Sequence, residues 1–317
     1  METGARITSS PHLEVTTLEE EVTMLVLPKL FGNKKKGRPN AFDYGEDVSK
    51  LPPIGHDGPK TLMAIMAHPD DIDFGSSGSV AKWCAEGWTV YYVLTTSGDK
   101  GTHEPGISGQ QLAAIREEEQ REAARVLGVK EVFFLGLEDG FVEPNAELRE
   151  RLVWLFRTYK PDVVLTWDGF RPSFNHNDHR NTGIAVRDAL FPAVRDRLYF
   201  PQHAEDGLGE WRANEILLVG SSEPNYFVDV SDFVERKADA ILAHRSQVQS
   251  HDRDELLKQM RERGRRPGGR GLVESFKRVH MRTSQRAQKA EEEARKLAEE
   301  MAAAADGAPV GAGTSVS

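Results

Sequence analysis

The sequence predicts a three-layer α/β/α fold around a mainly parallel sheet. Short apolar runs that read as buried strands alternate with longer segments of helical periodicity between residues 61 and 248. Gly87, Gly128 and Pro161 punctuate the joints between them. Of two polar clusters rich in histidine and aspartate, one directly follows a strand-like run and the other lies in the polar loop after another such run.

Residues 61–67 read as the first strand, and Gly75-Ser76-Ser77-Gly78 opens a helix through Val80, Trp83 and Cys84 that Gly87 ends. Residues 89–96 are the second strand. A loop over 97–109 leads to a long helix with Leu112, Ile115, Ala123, Val126 and Leu127 along one side and Gly128 just past its end. Residues 131–135 form a short third strand, and 147–159 a helix with Leu148, Leu152, Leu155 and Phe156 inward, stopped by Pro161. Residues 162–167 are the fourth strand, 181–194 a helix, 215–220 the fifth strand and 225–230 a sixth. Ser231 then caps a helix running to about Val248. This β-α-β-α order implies helices on both faces of the sheet, a Rossmann-like architecture. In a doubly wound sheet of order 3-2-1-4-5, strands 1 and 4 are neighbours and ligands bind at their carboxyl ends. Both polar clusters sit there, which puts a metal site at the carboxyl ends of strands 1 and 4.

Composition narrows the class. The 317 residues carry a net charge of −9, which argues against a general nucleic-acid or anionic-membrane binder. The single cysteine, Cys84, rules out an intrachain disulfide and a thiolate metal cage, and reads as core. With no apolar stretch near membrane length and no signal-like leader, the expected location is cytoplasmic. Residues 1–58 read as a flexible N-terminal extension, whose Lys34-Lys35-Lys36-Gly37-Arg38 cluster is a solvated run. Residues 59–282 form the main domain, and 283–317 a charged helix followed by a disordered tail.

The chemistry lies in the two clusters. His68-Pro69-Asp70-Asp71 brings a ring nitrogen and two carboxylates to one strand end, and such groups repel or lose hydration unless something positive sits between them. His176-Asn177-Asp178-His179 supplies the matching half. Two imidazoles and one carboxylate are a common three-ligand set for catalytic zinc. Hydrolysis also needs a base and an oxyanion donor. Spacing alone leaves open which of Asp70 and Asp71 binds metal, and which of His176 and His179 does.

Ala67-His68-Pro69-Asp70-Asp71, with Gly75 and Gly78 following and His176-x-Asp178-His179 later, resembles the zinc-dependent N-deacetylases of the PIG-L/LmbE-like superfamily. Residues 96–101, Arg116-Glu117 and Ala243-His244-Arg245-Ser246-Gln247 also resemble that family, so the likeness spans about residues 60 to 280. The resemblance implies His68, Asp71 and His179 as metal ligands and Asp70 as general base. It implies His176 as oxyanion donor, held and charged by Asp178, and Arg116 and Asp139 as sugar contacts. It further implies Zn2+ as cofactor, with Fe2+ admitted in a reducing cytoplasm, and a small-molecule N-acetylglucosamine-type conjugate as substrate. Further copies of the chain are admitted as partners, nucleic acid is not. Two departures stand out: Ile72 follows the acids where many relatives have Glu, with Asp73 one place later, and Asn177 stands where Pro is frequent.

Other readings compete. One is an amidase acting on another amide, such as a thiol conjugate. Another is a magnesium-dependent phosphatase-like protein built on Asp71-x-Asp73, which leaves the histidines without a role. Ser76 and Ser77 are either a phosphate cradle or a plain helix start. Trp167 is either a pocket wall or packing, and Glu117, Glu118 and Glu119 read as a solvated helix face. Arg261, Arg263, Arg265, Arg266 and Arg270 read as a surface loop or an anion-pairing lid.

Overall fold

Strand β1 (Thr61–Met66) occupies the centre of a seven-stranded sheet of order β3-β2-β1-β4-β5-β7-β6. The computed structural model describes residues 48–172, 175–248, 252–263 and 271–281. Around β1 lie β2 (Thr89–Thr96), β3 (Glu131–Leu137), β4 (Val163–Trp167), β5 (Glu215–Val219), β6 (Tyr226–Asp229) and β7 (Val273–His280). The first five strands are parallel; β7 pairs antiparallel with both β5 and β6. The helices are α1 (Asp71–Ala85), α2 (Gly109–Leu127), α3 (Ala146–Tyr159), α4 (Asn177–Leu190), α5 (Val234–Ala243) and α6 (Arg253–Arg263).

The strand period of two explains the two cores. Leu62, Ala64 and Met66 face a cluster shared with α1, α2 and α5, while Met63 and Ile65 face one shared with α3 and α4. β1 therefore buries both faces and reads as an unbroken apolar run. Leu62 pairs with Val163 and Ile65 with Thr166, so β1 and β4 end side by side. The predicted order 3-2-1-4-5 is the observed one.

Local differences have physical causes. Helix α1 starts at Asp71 rather than at Gly75, because Asp73 and Phe74 donate their N–H groups back to the Asp70 carbonyl. Ser76 and Ser77 are thus interior to the helix, their hydroxyls donating to the Ile72 and Asp73 carbonyls, which removes the phosphate-cradle reading. Helix α4 starts at Asn177, capped by His176, rather than at Asn181. Helix α5 ends at Ala243, and Arg261 and Arg263 close α6 instead of a loop.

Strand β7 was not expected. Its inward side chains include Glu274 and Arg278 as well as Phe276, so no apolar alternation marks it. Those charges are matched. Glu274 accepts from the Gly78 and Ser79 N–H groups at 3.0 and 2.7 Å and pairs with Lys237. A Cβ on Gly78 would meet Val230, just past β6, at 2.9 Å and Glu274 Oε1 on β7 at 3.0 Å, so glycine lets α1 approach this side of the sheet closely. Arg278 forms a two-pronged pair with Glu215 on β5 at 2.5 and 3.0 Å, and its remaining arm donates to the Pro52 carbonyl. Residues 51–58, expected within a flexible extension, thus bond to the sheet, and the Ile54 N–H donates to the Tyr226 hydroxyl. The Lys34–Arg38 cluster, Arg265, Arg266, Arg270 and the C-terminal helix and tail lie outside the described residues.

Among the described residues, no helix is long and apolar enough to cross a membrane.

Removing one side of the β5–β7 pair strands a buried guanidinium. Glu215→Gln should destabilise the fold by about 3 kcal/mol, read from urea unfolding at neutral pH; a loss under about 1 kcal/mol would show that the pair is dispensable.

Candidate active site

Strand β1 delivers its chain at the carboxyl edge of the sheet, and the turn 67–70 folds back so that Asp71 opens α1. The Asp71 carboxylate closes this turn, its Oδ2 accepting from the Ala67 N–H at 3.2 Å and the His68 N–H at 2.9 Å. The Trp167 indole, at the end of the neighbouring β4, donates to the same oxygen at 3.2 Å. Trp167 also stacks flat on the His179 ring, with centroids 4.1 Å apart and planes 7° apart. One aromatic side chain therefore orients both a carboxylate and an imidazole, a job beyond the wall or packing roles considered from sequence.

Three side chains converge here. His68 Nδ1 and His179 Nε2 lie 3.2 Å apart, His179 Nε2 lies 3.2 Å from Asp71 Oδ1, and His68 Nδ1 lies 3.5 Å from Asp71 Oδ2. Tetrahedral ligands at zinc bond lengths of ~2.1 Å stand about 3.4 Å from one another. The chemistry of the set also fits a cation. Two ring nitrogens aimed at each other beside a carboxylate call for a positive charge between them. Burial opposes the charge on Asp71, but the two imidazoles outweigh it and hold its pKa far below the usual range. One nitrogen from each of His68, His176 and His179 also falls within 4.8 Å of the others.

The far side of the His68 ring is held by acids. Its Nε2 meets Asp139 Oδ1 at 3.1 Å and Asp178 Oδ2 at 3.2 Å. Burial works against the imidazolium, but these carboxylates and Asp71 raise its pKa to about 11. Asp178 is fixed in turn by the Gly140 and Val142 N–H groups, at 2.6 and 3.1 Å. Carboxylates behind a ligating imidazole orient it and raise its basicity.

This arrangement corrects one expectation. Asp178 was expected to hold and charge His176; its carboxylate hydrogen-bonds His68 and reaches His176 only through its charge, which favours the imidazolium. The backbone N–H of Asp178 donates to His176 Nδ1 at 3.2 Å, because His176 is the N-cap of α4. Burial, reinforced by the neighbouring His68 and His179, lowers the His176 pKa. His176 is therefore a neutral imidazole whose Nε2 carries the proton.

Asp70 has an unusual backbone. Its φ of 98° and ψ of −30° are rare for any residue but glycine, a strain of about 1–3 kcal/mol. Burial and the adjacent Asp71 charge push its carboxyl up to about 6, opposed by Arg116 Nη2 at 3.1 Å. Arg116 also donates to the Pro69 and Gly98 carbonyls, and Asp139 accepts from the Lys100 N–H. Both residues were expected to contact sugar. They do line the cavity, yet much of their bonding capacity goes to the site itself.

That cavity measures 360 Å³ and is lined by His68, Asp70, Arg116, Asp139, His176 and His179 together with Lys100, Gly101 and Gly140. A larger hollow of 660 Å³ over β3 and α3 holds none of the clustered acids and histidines, so the smaller one is the reactive space. Glu117 and Glu119, read as a solvated face, are employed too: Glu117 accepts from Ser97, and Glu119 from the Ser246 N–H and hydroxyl.

Comparison with known proteins finds a family and named relatives. The family model described as PIG-L, GlcNAc-PI de-N-acetylase, matches residues 63–190. Diacetylchitobiose deacetylase of Thermococcus kodakarensis is 34% identical over 191 residues, covering 59% of this chain and 70% of that protein. A 1D-myo-inositol 2-acetamido-2-deoxy-alpha-D-glucopyranoside deacetylase of Actinosynnema mirum is 28% identical over 231 residues, covering 60% and 81%. The structure of N,N'-diacetylchitobiose deacetylase from Pyrococcus horikoshii superposes with a TM-score of 0.65 at 31% identity, covering 71% of this chain and 86% of that one.

Trp167→Phe keeps the ring over His179 and deletes the indole N–H. It should weaken metal affinity by roughly 10–100-fold in a competitive zinc titration; unchanged affinity would remove the indole from the site's support.

Proposed function

The chain belongs to the PIG-L (GlcNAc-PI de-N-acetylase) family, and on that premise we propose that it removes the acetyl group from an N-acetylglucosamine-type amino-sugar conjugate with the help of a bound metal ion. The observation that carries the reading is the triangle of His68 Nδ1, Asp71 and His179 Nε2, with Asp70 beside it in the same cavity. These three side chains would hold the metal. A two-histidine, one-carboxylate set matches zinc, and a reducing cytoplasm also admits iron. Zinc bound there would supply Lewis acidity and bring a water's pKa to about 7. Imidazole ligation argues against the magnesium phosphatase reading, since magnesium takes oxygen ligands.

The remaining roles belong to the protein's own groups. Asp70 accepts the proton of the attacking water and returns it to the departing amine; a carboxyl with a pKa near 6 is suited to both directions. Neutral His176 donates its Nε2–H to the oxyanion that forms as the acetamide carbon becomes tetrahedral. Asp139 and Asp178 keep the His68 ring aimed. The cavity of 360 Å³ has room for one acetamido sugar ring, and its rim is open to the rest of a conjugate. The catalytic domain is assigned to residues 59–282, in a protein acting in the cytoplasm.

Asp70→Asn should retain zinc while losing roughly 10²–10⁴ in the rate of amine release from N-acetylated amino sugars. Near-normal turnover would remove Asp70 as the base. His179→Ala should lose the metal in elemental analysis, and full zinc occupancy in that variant would refute the ligand set.

A further inference from the structure

The strained backbone at Asp70 has a holder on α2. Arg116 and Gln120 lie one helical turn apart on the face of α2 that meets the end of β1. Arg116 Nη2 donates to the Pro69 carbonyl at 2.6 Å, and the Asp70 N–H donates to Gln120 Oε1 at 2.9 Å. These are the two polar ends of a single peptide unit. The pair grips the Pro69–Asp70 peptide from both ends and fixes the orientation of its plane.

Gln120 is itself locked. It is fully buried, and its Nε2 donates to Asp73 Oδ2 at 2.7 Å. That same oxygen lies 2.8 Å from His244 Nε2, and both Asp73 and His244 have no exposed surface. A backbone N–H can only donate, so the Gln120 amide must turn its oxygen toward the Asp70 N–H and its NH2 toward Asp73. His244 directly follows α5. Beyond it, Ser246 bonds to Glu119 on α2 and Gln247 donates to the Gly101 carbonyl, anchoring the segment to the same helix and to the loop after β2.

We propose that Gln120 is a positioning residue of the reaction: locked by Asp73 and His244, it holds Asp70 in its positive-φ conformation and so aims the carboxylate into the cavity. The proposal rests on the role given to Asp70 above. It also gives work to Asp73 and His244, neither of which lines the cavity.

Two variants separate positioning from plain stability. Gln120→Met removes the acceptor for the Asp70 N–H. Gln120→Glu keeps that acceptor but sets a second carboxylate against Asp73, which is worse for stability. Positioning predicts that Met lowers kcat by roughly 10–100-fold with KM and zinc content near wild type. It also predicts that Glu, though the less stable protein, keeps the higher kcat of the two. In an Asp70→Asn background the Met substitution should add less than about twofold, because it acts through Asp70. A kcat order that follows the melting temperatures would overturn the proposal. So would a full additive loss in the double variant.

The crystal structure of Gln120→Met decides the geometry without any assay. Asp70 should leave positive φ while His68, Asp71 and His179 stay in place; an unchanged Asp70 overturns the proposal. Should the wild-type protein release no amine from any acetamido sugar, the functional reading fails, while the crystallographic result still decides whether Gln120 holds Asp70.

Discussion

Everything at the carboxyl edge of the sheet depends on the carboxylate of Asp71. It closes the turn after β1 through the Ala67 and His68 N–H groups, receives the Trp167 indole from β4, and faces both His68 and His179. A buried charge with so many donors is stable only when all of them are in place. The site is therefore a junction of β1 and β4, and it exists because these strands are neighbours whose connections leave in opposite directions. Each strand brings a proposed ligand and a support for the other strand's.

The two acids after Pro69 have divided tasks through their surroundings. Asp71 is held ionised by imidazoles and donors, whereas burial and the Asp71 charge push Asp70 up to about 6. Adjacent carboxylates whose pKa values are driven apart are what a metal ligand beside a proton carrier requires. The separation is geometric in origin. Asp71 begins a regular helix, while Asp70 takes a positive φ that turns its side chain toward Arg116 and the cavity. Helix α2, packed behind the turn, holds that conformation.

Much of this was legible in the sequence. An unbroken apolar run ending in His68-Pro69-Asp70-Asp71, and a second run followed by a polar loop with His176-Asn177-Asp178-His179, marked both halves of the candidate site, and strand order joined them. Three parts escaped. Strand β7 was hidden because its buried face carries Glu274 and Arg278, whose partners lie on α1, α5 and β5. The hydrogen-bond partner of the Asp178 carboxylate was missed because that group reaches across to His68, while only the Asp178 backbone bonds His176. The chain from His244 through Asp73 to Gln120 joins residues 171 and 47 positions apart, and no local pattern marks it. The i, i+4 spacing of Arg116 and Gln120 was the available clue, since it puts both on one face of α2.

His68, Asp71 and His179 are the proposed ligands of the metal ion. Anomalous diffraction at the zinc edge from crystals of the zinc-loaded protein tests this most directly. The expected result is one strong peak within bonding distance of His68 Nδ1, His179 Nε2 and an Asp71 oxygen, at about 2.0–2.2 Å. A peak coordinated by other residues, or none at full zinc loading, would contradict it.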